Sequence, residues 1–136
     1  MINMKVATWN INECVGITCD LDNQKTIDKI NIKNIEEIID KINENNFDII
    51  CFQEYSTYID DKISLTSEIL TKTKLKYYAE KDTYDSYLFK GGRVGIAFFS
   101  KYEIIDTEYA LFVNPYMIKK SSSGNTYYSR NGICTI

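Results

Sequence analysis

Two short apolar runs flank one stretch of helical periodicity in the first half of this chain, and that pattern leaves few folds open. Lys5 to Ile11, Lys-Val-Ala-Thr-Trp-Asn-Ile, is rich in β-branched and aromatic residues and predicts a strand with apolar residues on both faces. Residues 12–30 read as irregular. Ile32, Ile35, Ile38, Ile39 and Ile42 then recur at helical spacing, which predicts a helix to about residue 45 with Asn31 or Asn34 as its cap. Asn45-Asn46 breaks the pattern, and Phe47-Asp48-Ile49-Ile50-Cys51-Phe52 supplies a second continuous apolar run, as in a strand covered on both faces. This is a βαβ unit. Its crossover is expected to be right-handed, with the two strands parallel, adjacent or nearly so, and their C-terminal ends at one edge.

Further on, Ile63, Ile69 and Leu70 predict a second amphipathic helix over about residues 62–74. The rest is strand-like: Lys76 to Ala79, Tyr87 to Lys90, Gly95 to Ser100, Glu103 to Val113 and Tyr127 to Ile136. Gly91-Gly92 predicts a tight turn, and Pro115 with Lys119 to Asn125 an exposed loop. Residues 1–136 are expected to form one folded unit, and a final strand entering a core at Ser129 to Ile136 suggests a truncated one.

Composition narrows the chemistry. At 136 residues, with 44% hydrophobic and 26% charged residues, the chain can bury a core. No targeting or membrane-spanning segment is evident, so a cytoplasmic location is expected. Cys14, Cys19, Cys51 and Cys134 show no CxxC spacing, which favours free thiols over a zinc site or a disulfide framework. Residues 1–68 hold 6 Lys/Arg against 13 Asp/Glu, and residues 69–136 hold 10 against 6, so the halves carry −7 and +4. Such poles would suit a cation and a phosphate, or they are ordinary solvated surface charge. The chain contains no histidine, which removes every mechanism in which this chain's own imidazole acts as base or ligand.

Asn10 and Glu54 each follow an apolar strand, an unusual place for a polar side chain unless the strand end opens onto solvent or a site. Parallel neighbours about 4.8 Å apart would let both reach one cation. Mg²⁺ prefers oxygen ligands and often takes only one or two carboxylates from a protein. Asn12 falls two residues past Asn10, on the side it would share in an extended strand. The plainer alternative stays open at this point: Glu54 starts a surface loop and Asn10 caps a strand end.

Thr8-Trp9-Asn10-Ile11, then Phe47-Asp48-Ile49-Ile50-Cys51-Phe52-Gln53-Glu54, then Gly95-Ile96-Ala97-Phe98-Phe99-Ser100-Lys101-Tyr102 resemble, in order, successive signatures of the endonuclease/exonuclease/phosphatase superfamily. The resemblance implies an α+β, DNase I-like fold: a two-sheet α-β sandwich with outer helices, here as its N-terminal half. It implies a hydrolase of phosphate esters using Mg²⁺ or Mn²⁺, with Glu54 as metal ligand, Asn10 as active-site asparagine and Asn12 as a looser match. Tyr128-Ser129-Arg130-Asn131-Gly132 resembles the strand that carries a phosphate-contacting arginine, which would give Arg130 that role. Later family motifs, including two histidines, are absent, so the chain alone is expected to be inactive or nearly so. A missing C-terminal half or a partner chain would then be needed.

Three readings follow. The first is a metal-dependent phosphoesterase acting on nucleic acid, a phospholipid or another phosphate ester. The second is a degenerate relative that keeps a metal or phosphate pocket without hydrolysis. The third is an unrelated α/β domain in which Trp9 and the aromatic strands are only core. The eleven tyrosines are better explained by biased composition than by nucleobase stacking.

Overall fold

The computed structural model describes residues 3–15, 24–56, 63–86, 92–111, 118–120, 126–128 and 133–135, with side chains over 3–15, 33–56, 63–86 and 92–109. The chain divides into two compact units, Met1–Ile104 and Ile105–Ile136.

The first unit is a four-stranded mixed sheet covered on one face by two helices. Strand β1 (Val6–Asn10) leads through a short 3₁₀ turn (Asn12–Cys14) toward helix α1 (Gln24–Asn45), which crosses back to β2 (Ile49–Tyr55). Helix α2 (Leu65–Lys72), β3 (Tyr77–Asp85) and β4 (Arg93–Ser100) follow. The sheet order is β1-β2-β4-β3, with β1 and β2 parallel and the other neighbours antiparallel. The expected parallel βαβ pair is therefore present, with Asn10 in register with Gln53.

Alternation explains the core. Ile50 and Phe52 of β2 and Ala97 and Phe99 of β4 point to the helix side and are fully buried. They meet Ile35, Ile38, Ile39 and Ile42 of α1 and Leu65 and Ile69 of α2. Phe52 sits among Trp9, Tyr55 and Phe99, with ring centroids 5.9–6.2 Å apart. Each of these isoleucines contributes roughly 1.5–3 kcal/mol by leaving water. The opposite face is more open: Val6 is 59% exposed, and Ile49 and Cys51 are only partly covered. β2 is thus fully buried on one face only, where its apolar run predicts cover on both.

Several elements depart from their sequence pattern. α1 begins at Gln24, inside the stretch read as irregular, and in the sequence Ile27 and Ile30 continue the helical spacing back from Ile32. Asn31 and Asn34 are therefore interior to the helix, and Asn34 donates its amide to the Cys14 carbonyl at 2.7 Å instead of capping. α2 is shorter than expected and is capped by Ser64, whose hydroxyl accepts the Ser67 N–H at 3.2 Å. β3 runs unbroken to Asp85, well past Ala79, while Tyr87 to Lys90 and Gly91 lie outside the described residues. The Ser86 N–H donates to the Gly92 carbonyl at 2.9 Å and closes the link to β4.

The second unit holds two antiparallel pairs. β5 (Tyr109–Leu111) pairs with β8 (Ile133–Thr135), and β6 (Ile118–Lys120) pairs with β7 (Thr126–Tyr128). The long strand expected over Glu103 to Val113 is reduced to β5, with residues 103–108 irregular. Lys119 and Lys120 belong to β6 rather than to a loop, and Tyr127 to Ile136 contributes parts of two strands. Pro115 and Arg130 lie outside the described residues.

Candidate active site at the C-terminal ends of β1 and β2

The first two strands end side by side, and both ends are irregular. β1 stops at Asn10, and the Ile11 N–H still donates to the Gln53 carbonyl at 3.1 Å. The chain then turns sharply: Asn12, Glu13 and Cys14 adopt φ values of 47°, 52° and 61°. Non-glycine residues rarely hold that left-handed conformation, and one such residue costs on the order of 1–3 kcal/mol. The Asn10 side chain supports the turn, its Oδ1 accepting the Asn12 N–H at 2.9 Å.

Glu54 occupies an equally unusual position. The register between β2 and β4 shifts between Gln53 and Tyr55, and Glu54 is the extra residue, with φ of 50°. A bulge of this kind redirects one side chain while the strand continues. Here it lets both Phe52 and Tyr55 face the core and leaves Glu54 half-buried next to the register partner of Asn10. Gly95 faces Tyr55 just past the bulge, and a Cβ there would lie 1.9 Å from the Lys81 carbonyl oxygen, so only glycine fits between β3 and β2. That glycine belongs to the third sequence signature.

The structure thus brings Asn10, Asn12 and Glu54 to one edge of the sheet. Asn12 does not share the strand's alternation with Asn10, because β1 has already ended. Its Nδ2 donates to the Val15 carbonyl at 3.2 Å instead.

Two neighbours were not singled out by sequence reasoning. Gln53 donates Nε2 to the Thr8 hydroxyl at 2.8 Å, tying the two strand ends together on the open face. Glu13 is 2% exposed, and its carboxylate accepts a hydrogen bond from the Ser86 hydroxyl beside the β3–β4 link. An acid within a turn gives no periodic signal, so only the fold reveals that burial. Cys14 is buried beside it, and desolvation, helped by the negative charge of Glu13, pushes its thiol up to about 12.

Among the described residues no cluster of three or more His, Cys, Asp or Glu side chains is placed to hold a metal ion. The donor set at this edge is one carboxylate with neutral amide oxygens. That set matches a hard cation which keeps most of its shell as water and substrate oxygen, and not a zinc-type site. Cys14 and Cys51 take part in no disulfide.

A mixed sheet with helices on one face, and polar residues gathered where its parallel strands end, is the α+β architecture of DNase I-like proteins. A family model of the Endonuclease/Exonuclease/phosphatase family matches residues 7–131, and the chain belongs to that family. Among solved structures it is similar to an endonuclease/exonuclease/phosphatase family protein from Leptotrichia buccalis C-1013-b, with a TM-score of 0.53 and 18% identity. The match covers 82% of this chain and 43% of that one, so the chain spans less than half of that structure's length. At this identity the likeness establishes the fold. A search of the curated proteins found no match.

Proposed function

We propose that this chain carries the cation-binding portion of a divalent-metal-dependent phosphoesterase. The observation that carries the reading is the Glu54 bulge, a strained carboxylate beside the strand end that holds Asn10, in a chain of the endonuclease/exonuclease/phosphatase family. Glu54 would hold Mg²⁺ or Mn²⁺, and the cation, when bound, would neutralise charge on a phosphate ester. Asn10 would hold the turn that shapes the edge of the site and offer its amide to the cation or a phosphate oxygen. Arg130 is proposed as a phosphate contact on sequence resemblance alone. The substrate is a phosphate ester, with nucleic acid and phospholipid headgroups both within the class.

A second reading is favoured by one fact, the absence of histidine from all 136 residues. On that reading the chain binds cation and phosphate but does not itself activate water. Titration calorimetry with MgCl₂ and with MnCl₂, on the chain and on Glu54→Gln, tests the shared core of both readings. Saturable binding that Glu54→Gln abolishes supports it, and no binding of either cation by the folded chain rejects it. Hydrolysis of bis(p-nitrophenyl) phosphate with Mg²⁺, abolished by chelator, separates the first reading from the second.

A further inference from the structure

Tyr55 follows Glu54 in β2 and is 2% exposed. Side chains alternate along an unbroken strand, so with Phe52 facing the helices Glu54 would face them too, and Tyr55 would point away. The bulge reverses both assignments at once. Tyr55 enters the core, and the left-handed Glu54 is left half-buried. Where the Glu54 carboxylate points therefore depends on what keeps Tyr55 in place.

The Tyr55 ring packs against Phe52 and Phe99, with centroids 6.0 and 5.8 Å away, in register with Gly95. Its hydroxyl adds a directional tie. It lies 2.6 Å from the hydroxyl of Thr66 in α2, which is 6% exposed and donates onward to Glu80 Oε2 of β3 at 3.0 Å. A threonine hydroxyl has one proton and a carboxylate only accepts, so Tyr55 donates to Thr66 and Thr66 to Glu80. Three side chains thus join β2 to the helix and to the far strand of the sheet. The residue before Glu54 is fastened as well, because Gln53 Nε2 donates to the Thr8 hydroxyl at 2.8 Å. Glu54 is strung between two fixed neighbours.

We propose that the Tyr55–Thr66–Glu80 chain positions Glu54: it fixes the register of the bulge and so holds the Glu54 carboxylate at the sheet edge it shares with Asn10. The inference rests on the function proposed above and adds to it three positioning residues, which act through Glu54 and not on the cation. Groups that orient a metal ligand in this way commonly change affinity by about 10–100-fold when removed.

Titration calorimetry with MgCl₂ tests this, with circular dichroism to confirm that each variant folds. Tyr55→Phe keeps the packed ring and removes only the hydroxyl, whereas Thr66→Val keeps the side-chain shape and breaks both bonds. Each should weaken Mg²⁺ binding by about tenfold, and either suffices if the other fails to fold. The double variant should bind no more weakly than Thr66→Val alone, because the two bonds form one chain. Thr66→Ser keeps the hydroxyl and should bind as the parent does. A buried tyrosine that is merely satisfied would lower the urea midpoint of Tyr55→Phe and leave the Mg²⁺ affinity of the folded chain unchanged. That result overturns the proposal and leaves Glu54 as the ligand. A folded parent that binds no Mg²⁺ overturns both the proposal and the reading it rests on, so the parent alone tells the two failures apart.

Discussion

The two ends of the β1–β2 pair are built on opposite principles. At the N-terminal end, Asp48 accepts the Lys5 N–H at 2.7 Å and the Lys101 ammonium at 2.9 Å, while Lys101 also reaches Asn46 at 3.1 Å. The Lys5 N–H, and then Lys101, hold the Asp48 carboxyl below its ordinary value of 3.8. At the C-terminal end, four of the five left-handed non-glycine residues among those described are gathered: Asn12, Glu13, Cys14 and Glu54. One end spends its polar groups on fastening the strands. The other holds polar groups in conformations that cost energy, which is where a functional site is expected.

Four perturbations would break or sharpen that contrast. The largest effect is expected from Gly95→Ala at the strained end, where the new methyl would meet the Lys81 carbonyl and force β3 away from β4. A loss of about 3 kcal/mol in urea unfolding is expected, and a loss near zero would mean the strands separate freely there. Next is Asp48→Asn at the fastened end. A lowered folded-state pKa contributes stability above the unfolded value and loses it as pH falls through the folded one. The variant should therefore unfold at lower urea than the parent at pH 7, and the gap should close below pH 3.8. An equal gap at pH 7 and pH 2 would show that the charge is not what fastens that end.

Smaller still is Glu54→Gly, which suits a backbone φ of 50° and should change stability by no more than about 1 kcal/mol while removing the Mg²⁺ binding proposed above. A destabilised variant would show that the Glu54 side chain holds the bulge and is not strained for a site. The last perturbation concerns Cys14 and has no effect at neutral pH. Its thiol titrates near 12 in the folded chain against 9.0 for an ordinary cysteine, so the unfolded state ionises first. Stability should decline from about pH 9 toward 12, less so in Cys14→Ala, and Cys14 should resist alkylation at pH 8 until the chain is unfolded.

Much of the fold was legible because it rests on periodicity. The isoleucines of α1 and the apolar runs of β1 and β2 specify a parallel βαβ unit before any coordinates are known, since each face must find cover. The three signatures, read in order, name the family. Element ends were less legible: a polar residue such as Asn31 or Asn34 looks like a cap in one dimension yet sits mid-helix, because α1 already begins at Gln24. The second unit was the least legible, its strands being only three residues long each.

Asn10 and Glu54 could be chosen from sequence as polar residues following apolar strands, but not the geometry that distinguishes them. Sequence by itself determined the class of this protein, the order of its first elements and the absence of any imidazole. Tertiary structure decided that Asn10 lies in register with Gln53, that Glu54 sits at a bulge and that Glu13 is buried against Ser86. The division has a physical reason. Helix and strand patterns are local and repeat every few residues, whereas a bulge and a buried acid depend on partners forty or more positions away that only folding brings close.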